Sequence, residues 1–432
     1  MSVPGQWPRV GIVTLAVAVA AGFSIAVPAH AESTGLAPQS LVVSEIQLDT
    51  TNNSASADNY EFIEVANTTD TAINLADAGV TLNYFTGADS DYATTPGTVL
   101  TLDRSVTIPA HGTMVAAISY AAATISQAAF EAHYGVSGLN YAIATKGSGL
   151  GNSGNNGVRI VQNGTEISHS YVTGASTATG AVLTATLEMS ANFGPATADA
   201  MSVPLAAASA VATPGYVSSA QLGIAAPDPT TVAAPPLFVS EINPDNADAA
   251  HADLDNFEFF ELTNTTDADI NLTTTGQTLA YWYASNTEAN ELTPLQIPDD
   301  TVIPARSSVP FWLQYTSGDG VSTGPDTTLY TDADFRAHYG LDSAVPVVHV
   351  SGQSGMANGG NRAVRLVNAD RTIATQAFYT ASDVAPDRSA DFAVPTEPGT
   401  FVAPLWKPQQ TPTPGSVAPE ATNAARSAGV AP

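Results

Sequence analysis

The feature that most constrains this chain is that it repeats itself once, in order, over most of its length. Leu41-Val-Val-Ser-Glu-Ile46 returns as Leu237-Phe-Val-Ser-Glu-Ile242, and Asn59 to Leu75 returns at Asn256 to Leu272 with 11 of 17 positions identical. Ile108-Pro-Ala110 then pairs with Ile303-Pro-Ala305, and Phe130-Glu-Ala-His-Tyr-Gly135 with Phe335-Arg-Ala-His-Tyr-Gly340. Val158-Arg159 pairs with Val364-Arg365, and Thr213-Pro-Gly215 with Thr413-Pro-Gly415. A collinear match at so long a period is the mark of a duplicated unit, and the offset stays between 195 and 206, so insertions between blocks are small. The reading is a domain over 41–217, a Pro/Ala-rich linker over 218–236, a second domain over 237–416 and a disordered Pro/Ala-rich tail over 417–432. The prolines between Ile224 and Pro236 favour an extended, semi-rigid spacer.

Within each copy the pattern is that of strands. Val43, Glu45 and Gln47 alternate with Val42, Ser44 and Ile46, and Phe62, Glu64 and Ala66 with Glu61, Ile63 and Val65. Asn67-Thr-Thr-Asp70 reads as a turn and Ile73 to Leu75 as a short strand. Val106 to Gly112, Gly157 to Gly164 and Glu166 to Tyr171 read as further strands and turns. Many short strands without long helices predict an all-β fold of two tandem β-sandwiches. The exception is Ser126 to Tyr134, with its counterpart Thr331 to Tyr339. Each looks like a short helix opened by a cap and closed by Gly135 or Gly340, and is expected to plug an end of its sandwich.

Residues 1–31 read as a secretory signal. Arg9 precedes an apolar run from Val10 to Val27, and Ala29-His-Ala31 offers the small side chains of a cleavage site. The expectation is a secreted protein, extracellular or at the cell surface, with no stable membrane insertion once the leader is gone. The chain has no cysteine, so packing alone must hold it outside the cell. Its 40 Asp and Glu outnumber 12 Lys and Arg, for a net charge of −28. Such a field repels a polyanion, so nucleic acid is not expected as a partner. Cations or a basic surface are permitted.

Ser44-Glu45-Ile46, Glu61-Phe-Ile-Glu64-Val-Ala-Asn67, Asn74-Leu75 and Pro109-Ala-His-Gly112 together resemble the lamin-tail domain found in many secreted bacterial proteins. Ser240-Glu-Ile242, Glu258-Phe-Phe-Glu261-Leu-Thr-Asn264 and Asn271-Leu272 repeat the resemblance. It implies an immunoglobulin-like sandwich with a non-catalytic, accessory role, and the leading expectation is a secreted binding or structural protein acting at the cell envelope through protein or glycan contacts. The alternative it implies is the targeting or accessory part of an exported metallophosphoesterase or nuclease system whose catalytic domain lies elsewhere.

No catalytic residue, cofactor site or metal site is assigned from the sequence. Gly149-Leu-Gly-Asn-Ser-Gly154 satisfies G-x-G-x-x-G, but a strand rather than a helix follows, and Gly355 to Gly360 breaks the pattern. A turn is expected there. Ser153 falls opposite Gly359 and His111 opposite Arg306, so a serine nucleophile with its base does not recur. His133 and His338 do recur, one per copy, which is poor for zinc and suits a structural role. Glu45, Glu61 and Glu64, with Glu241, Glu258 and Glu261, fall on adjacent strands; Glu64 and Glu261 are expected to accept backbone hydrogen bonds at a sandwich corner, and the loop acids Asp49, Asp58, Asp245, Asp253 and Asp255 to be solvated. Calcium at these acids and glycoside hydrolysis by paired carboxylates are the alternatives. Tyr281-Trp-Tyr283 and Phe311-Trp312 are expected in the core, with an outward-facing ligand patch as the alternative.

Overall fold

The structure, a computed structural model, describes residues 35–50, 58–86, 97–119, 124–152, 155–173, 181–182, 188–196, 203–246, 255–285, 291–316 and 326–422. These are mostly strands, in several sheets. Residues Leu36–Pro432 form one compact unit. In the first copy, strand Leu41–Gln47 lies between Phe62–Asn67 and Met189–Gly194, and Thr113–Ser119 extends that layer beyond Phe62–Asn67. Val80–Thr86, Asn156–Gln162 and Thr165–Thr173 form the other layer, and Thr98–Leu102 joins the two by pairing with both Val80–Thr86 and Tyr141–Thr145. The second copy repeats the plan as two sheets, one centred on Leu237–Asn243 and Phe259–Asn264, the other on Thr278–Tyr283 and Arg362–Val367. A Gln296–Ser351 bridge stands where the first copy has a full strand connection.

One departure from strict alternation explains much of the rest. The pairing of Leu41–Gln47 with Phe62–Asn67 shifts register between Val43 and Glu45, and that of Leu237–Asn243 with Phe259–Asn264 shifts between Val239 and Glu241. An extra residue in a strand reverses the phase of every side chain beyond it. Leu41 and Val43 therefore share a core with Ile46 and Leu48, rather than alternating straight through. The bulge residue, Ser44 or Ser240, is left to bond sideways, and Glu45 comes opposite Glu64 as Glu241 does Glu261.

These carboxylates, all buried, hold the copies closed. Glu64 Oε1 accepts from Ser44 Oγ at 2.7 Å, and Oε2 from the backbone N of Gly215 at 2.6 Å. Glu45 Oε1 accepts from Thr213 N at 3.0 Å and from Ser190 Oγ. In the second copy Ser240 Oγ and Gly415 N donate to Glu261 at 2.7 and 2.5 Å, and Thr413 N to Glu241 at 3.0 Å. Each pair thus clasps its own Thr-Pro-Gly segment. Glu61 and Glu258 take the amides of Leu150 and Met356 at 3.0 and 2.9 Å, anchoring the glycine-rich loop. Asn67 and Asn264 tie the following turn, each donating to carbonyls across it and accepting from Thr69 N or Thr266 N.

The short helices form as expected over Gln127–Tyr134 and Asp332–Tyr339 and end on left-handed Gly135 and Gly340. They do not plug an end. Phe130 and Tyr134 pack on Phe62, Val115, Ala117 and Tyr141, the side of the sheet away from the main core, and Phe335 packs likewise on Phe257, Phe259 and Trp312. These strands are apolar on both faces and need a second cover, which the helix supplies. The linker opens with a docked turn, ahead of the Ile224–Pro236 stretch. Ser219–Leu222 forms a capped turn, Leu222 packs on Val42 and Ala66, and Gln221 Nε2 donates to Ser44 O at 3.0 Å. At the start of the tail, Pro419–Ala421 is a turn whose Ala421 carbonyl accepts from Val394 N at 3.0 Å, so the chain is docked as far as this point.

Replacing Glu261 by Ala leaves Ser240 Oγ and Gly415 N without their acceptor. The expected cost is ~2–4 kcal/mol, and hydrogen exchange should accelerate over 413–422 before the strands of the second copy open. Burial raises the carboxyls of Glu45 and Glu261 to about 7 and that of Glu61 to about 9. The folded chain therefore binds more protons than the unfolded chain between the ordinary glutamate range and these values, and stability falls as pH rises through that window. The thermal midpoint measured by calorimetry should be several degrees higher at pH 5 than at pH 8; a profile that is flat or rises with pH would contradict the assignment.

Candidate functional site

The helix Gln127–Tyr134 carries His133 on its last turn, and the two copies meet there. Gly135, just past the helix, accepts a 2.8 Å hydrogen bond at its carbonyl from Ile373 N of the second copy. A side chain at Gly135 would stand 2.5 Å from Ile373 Cγ1, whereas one at Gly340 would meet nothing within 4 Å. Ser219 N donates to Glu397 at 2.7 Å nearby. The contact is heterologous: the helix end of the first copy lies against the sheet Thr278–Tyr283, Arg362–Val367, Ile373–Tyr379 of the second.

His133 stacks flat on Tyr60, ring centroids 3.7 Å apart at 4°. Its Nε2 lies 3.2 Å from Glu188 Oε2 and its Nδ1 3.7 Å from Glu291 Oε2, with side-chain exposures of 3%, 3% and 7% for the three residues. Glu188 sits in a left-handed turn, φ +63°, its amide bonded to Asp49 O. Glu291 comes from the second copy, just before strand Leu292–Leu295. Arg365 approaches from the same side, its Nε donating to Gln376 Oε1 at 2.5 Å and its guanidinium over the Trp282 ring. Burial, reinforced by Glu188, raises the Glu291 carboxyl to about 7, with His133 and Arg365 acting in the opposite sense. Desolvation lowers Arg365 to about 10 against the attraction of Glu291 and Glu188. A cavity of about 10 Å³ adjoins the group, lined by His133, Glu188, Glu291, Arg365, Gln376 and Trp282 among others.

The equivalent place on the second copy differs. His338 stacks on Phe257 at 4.6 Å, Asp387 repeats the left-handed turn of Glu188 with its amide bonded to Asp245 O, and Asn246 Nδ2 lies 2.9 Å from His338 Nε2. Here the histidine is exposed.

The other sequence candidates are distributed as follows. Leu150 and Gly151 amides bond Glu61 and the Tyr84 hydroxyl, so the glycine loop serves the protein's own groups, and Asn156–Gln162 follows as a strand. Ser153 lies outside the described residues. His111 pairs with Asp70 and Arg306 with Asp267, both at 2.8 Å and both in left-handed turns, which makes them structural equivalents. Asp58 accepts from Asn152 and Asp255 from Asn246 N, while Asp49 is raised to about 6 by burial beside Asp58 and Glu188. Asp253 lies outside the described residues. Among the described residues these acidic loops gather no set of three metal-ligating side chains; His133, Glu188 and Glu291 do. Tyr281, Phe311 and Trp312 are core residues, and Trp282, on the outward face of its strand, is buried at the junction. Glu188 and Glu291 carried no sequence signal: neither belongs to a repeated block, and Glu291 lies in a stretch where the second copy is shorter than the first.

No family model matches the chain, and no curated protein matches it. Among solved structures the exo-chitosanase CsxA of Amycolatopsis orientalis matches at 13% identity and a TM-score of 0.15, over 78% of this chain and 26% of that one. The chain thus spans about a quarter of the length of that enzyme, and so low a score carries no argument about fold or activity.

Proposed function

We propose that this chain is an exported, non-catalytic module of two lamin-tail-like, immunoglobulin-like sandwiches that acts at the cell envelope through protein or glycan contacts. The observation that carries this reading is the state of the recurring Glu-Phe-x-Glu-x-x-Asn block. Glu61, Glu64 and Asn67, and Glu258, Glu261 and Asn264, face donors and acceptors of their own copy. Paired carboxylates that hydrolyse a glycoside must instead flank a substrate-sized gap, and these close on backbone amides. The motif is then a folding device, and what varies outside it is free to make contacts. The acidic surface favours a basic or neutral partner over a polyanion. Among the described residues no helix is long and apolar enough to cross a membrane.

Expression with residues 1–31 intact should release a chain whose mass corresponds to a mature terminus at Glu32. That product, mixed with isolated envelope, should sediment with it and be displaced by envelope glycan or by protease treatment of the envelope. A chain that stays in the supernatant and binds neither protein nor glycan would overturn the reading, as would phosphodiesterase or glycosidase turnover that disappears in Glu64→Gln or Glu261→Gln.

A further inference from the structure

We propose that His133, Glu188 and Glu291 form a divalent-metal site of the zinc class that staples the two copies together. One ligand atom from each lies within 4.8 Å of the other two, and all three side chains are at least nine-tenths buried. Ligands at 2.0–2.2 Å from a tetrahedral ion stand about 3.3–3.5 Å apart. The His133 Nε2–Glu188 separation of 3.2 Å is close to that value; Glu291 lies 3.7 Å from the other ring nitrogen, Nδ1, so its carboxylate must swing toward the Nε2 side for one ion to hold all three.

Two further observations mark the spot as built for a ligand. The Glu291 carboxyl takes a side-chain hydrogen bond from Trp282, but its Oε1 has no partner although the residue is buried. Gln376 Nε2, fully buried and lining the same cavity, has none either. Buried polar atoms left in this condition are costly and point to a missing partner. The cavity of about 10 Å³ accommodates roughly one water. A metal bound by three protein groups takes a water as its fourth ligand, and Gln376 Nε2 is placed to donate to it.

Charge and donor chemistry choose the ion. Two carboxyls face the one guanidinium of Arg365, and a bound cation would favour the ionised form of both against the burial that opposes it. An imidazole with two carboxylates suits zinc and its neighbours, whereas calcium asks for six to eight oxygens. The ligands come from both copies, two from the first and one from the second, so the ion would bind only the assembled junction and stabilise it by mass action. The inference does not depend on what the module contacts in the envelope. His338 lacks an equivalent of Glu291, and the second copy therefore serves as an internal control.

The test is titration of the intact, EDTA-stripped chain with ZnCl2 at pH 7. One site per chain and a higher thermal midpoint are expected, and Co2+ in place of Zn2+ should give the visible absorption of a four- or five-coordinate ion. The isosteric Glu291→Gln should weaken Zn2+ at least tenfold and abolish the Co2+ bands, with His338→Ala within twofold of the wild type. Affinity unchanged by Glu291→Gln overturns the proposal. So does a wild-type chain whose Co2+ spectrum is that of the aqueous ion, a result that decides the matter even if the variant does not fold.

Discussion

The architecture depends on a carboxylate buried where a backbone needs an acceptor. A strand layer whose two faces are both apolar has no natural end: something must cover the outer face and something must stop the chain from peeling away. In each copy a glutamate on the second strand reaches sideways to a bulge serine and to the amide of a glycine some 150 residues later. Hydrogen bonds to a carboxyl in a dry interior are stronger than those in water, and each unsatisfied partner costs more. The bond is therefore long-range in sequence but decisive in register. If the bulge were absent, Glu45 would not come opposite Glu64 and the phase of Ile46 would reverse.

That clasp also prepares the junction. The Thr-Pro-Gly segment that it captures leads into Tyr216 and Ser219, and Ser219 bonds Glu397 of the second copy. What reads in the sequence as a spacer is anchored at its start by Gln221 and Leu222, so the copies are not beads on a string. The contact buries an aromatic and an arginine of the second copy, Trp282 and Arg365, against the helix of the first.

The self-comparison of the sequence made the larger part of this legible. Collinear blocks announced the duplication, Ser126 or Thr331 and a glycine bracketed the helices correctly, and the Glu and Asn of the recurring block proved to be the residues that bond across each copy. Three things were hidden for identifiable reasons. Alternation missed the bulges because one extra residue leaves the local pattern looking intact. The helix was assigned to an end because its apolar residues say that it is buried, not which surface buries it. The His133 cluster was illegible because repeats pair equivalent positions, while Glu188 and Glu291 act across copies and have no equivalents in that role; a solitary histidine in each unit gave no reason to join them.

The head-to-tail contact has a consequence for how such a duplicated chain can change. When identical surfaces meet about a twofold axis, each substitution appears on both sides of the contact and must suit itself. Here unlike surfaces meet: of the pairs His133/His338 and Gly135/Gly340, the first member is in the contact and the second is not. Gly135 is pressed against Ile373 while a side chain at Gly340 would meet nothing within 4 Å, and Glu188 faces the other copy while Asp387 accepts from Asn246 of its own. Divergence at one position is thus invisible to its twin, so two units that began alike could specialise separately, one as a socketed half and one as an outward-looking half, without passing through a mismatched interface.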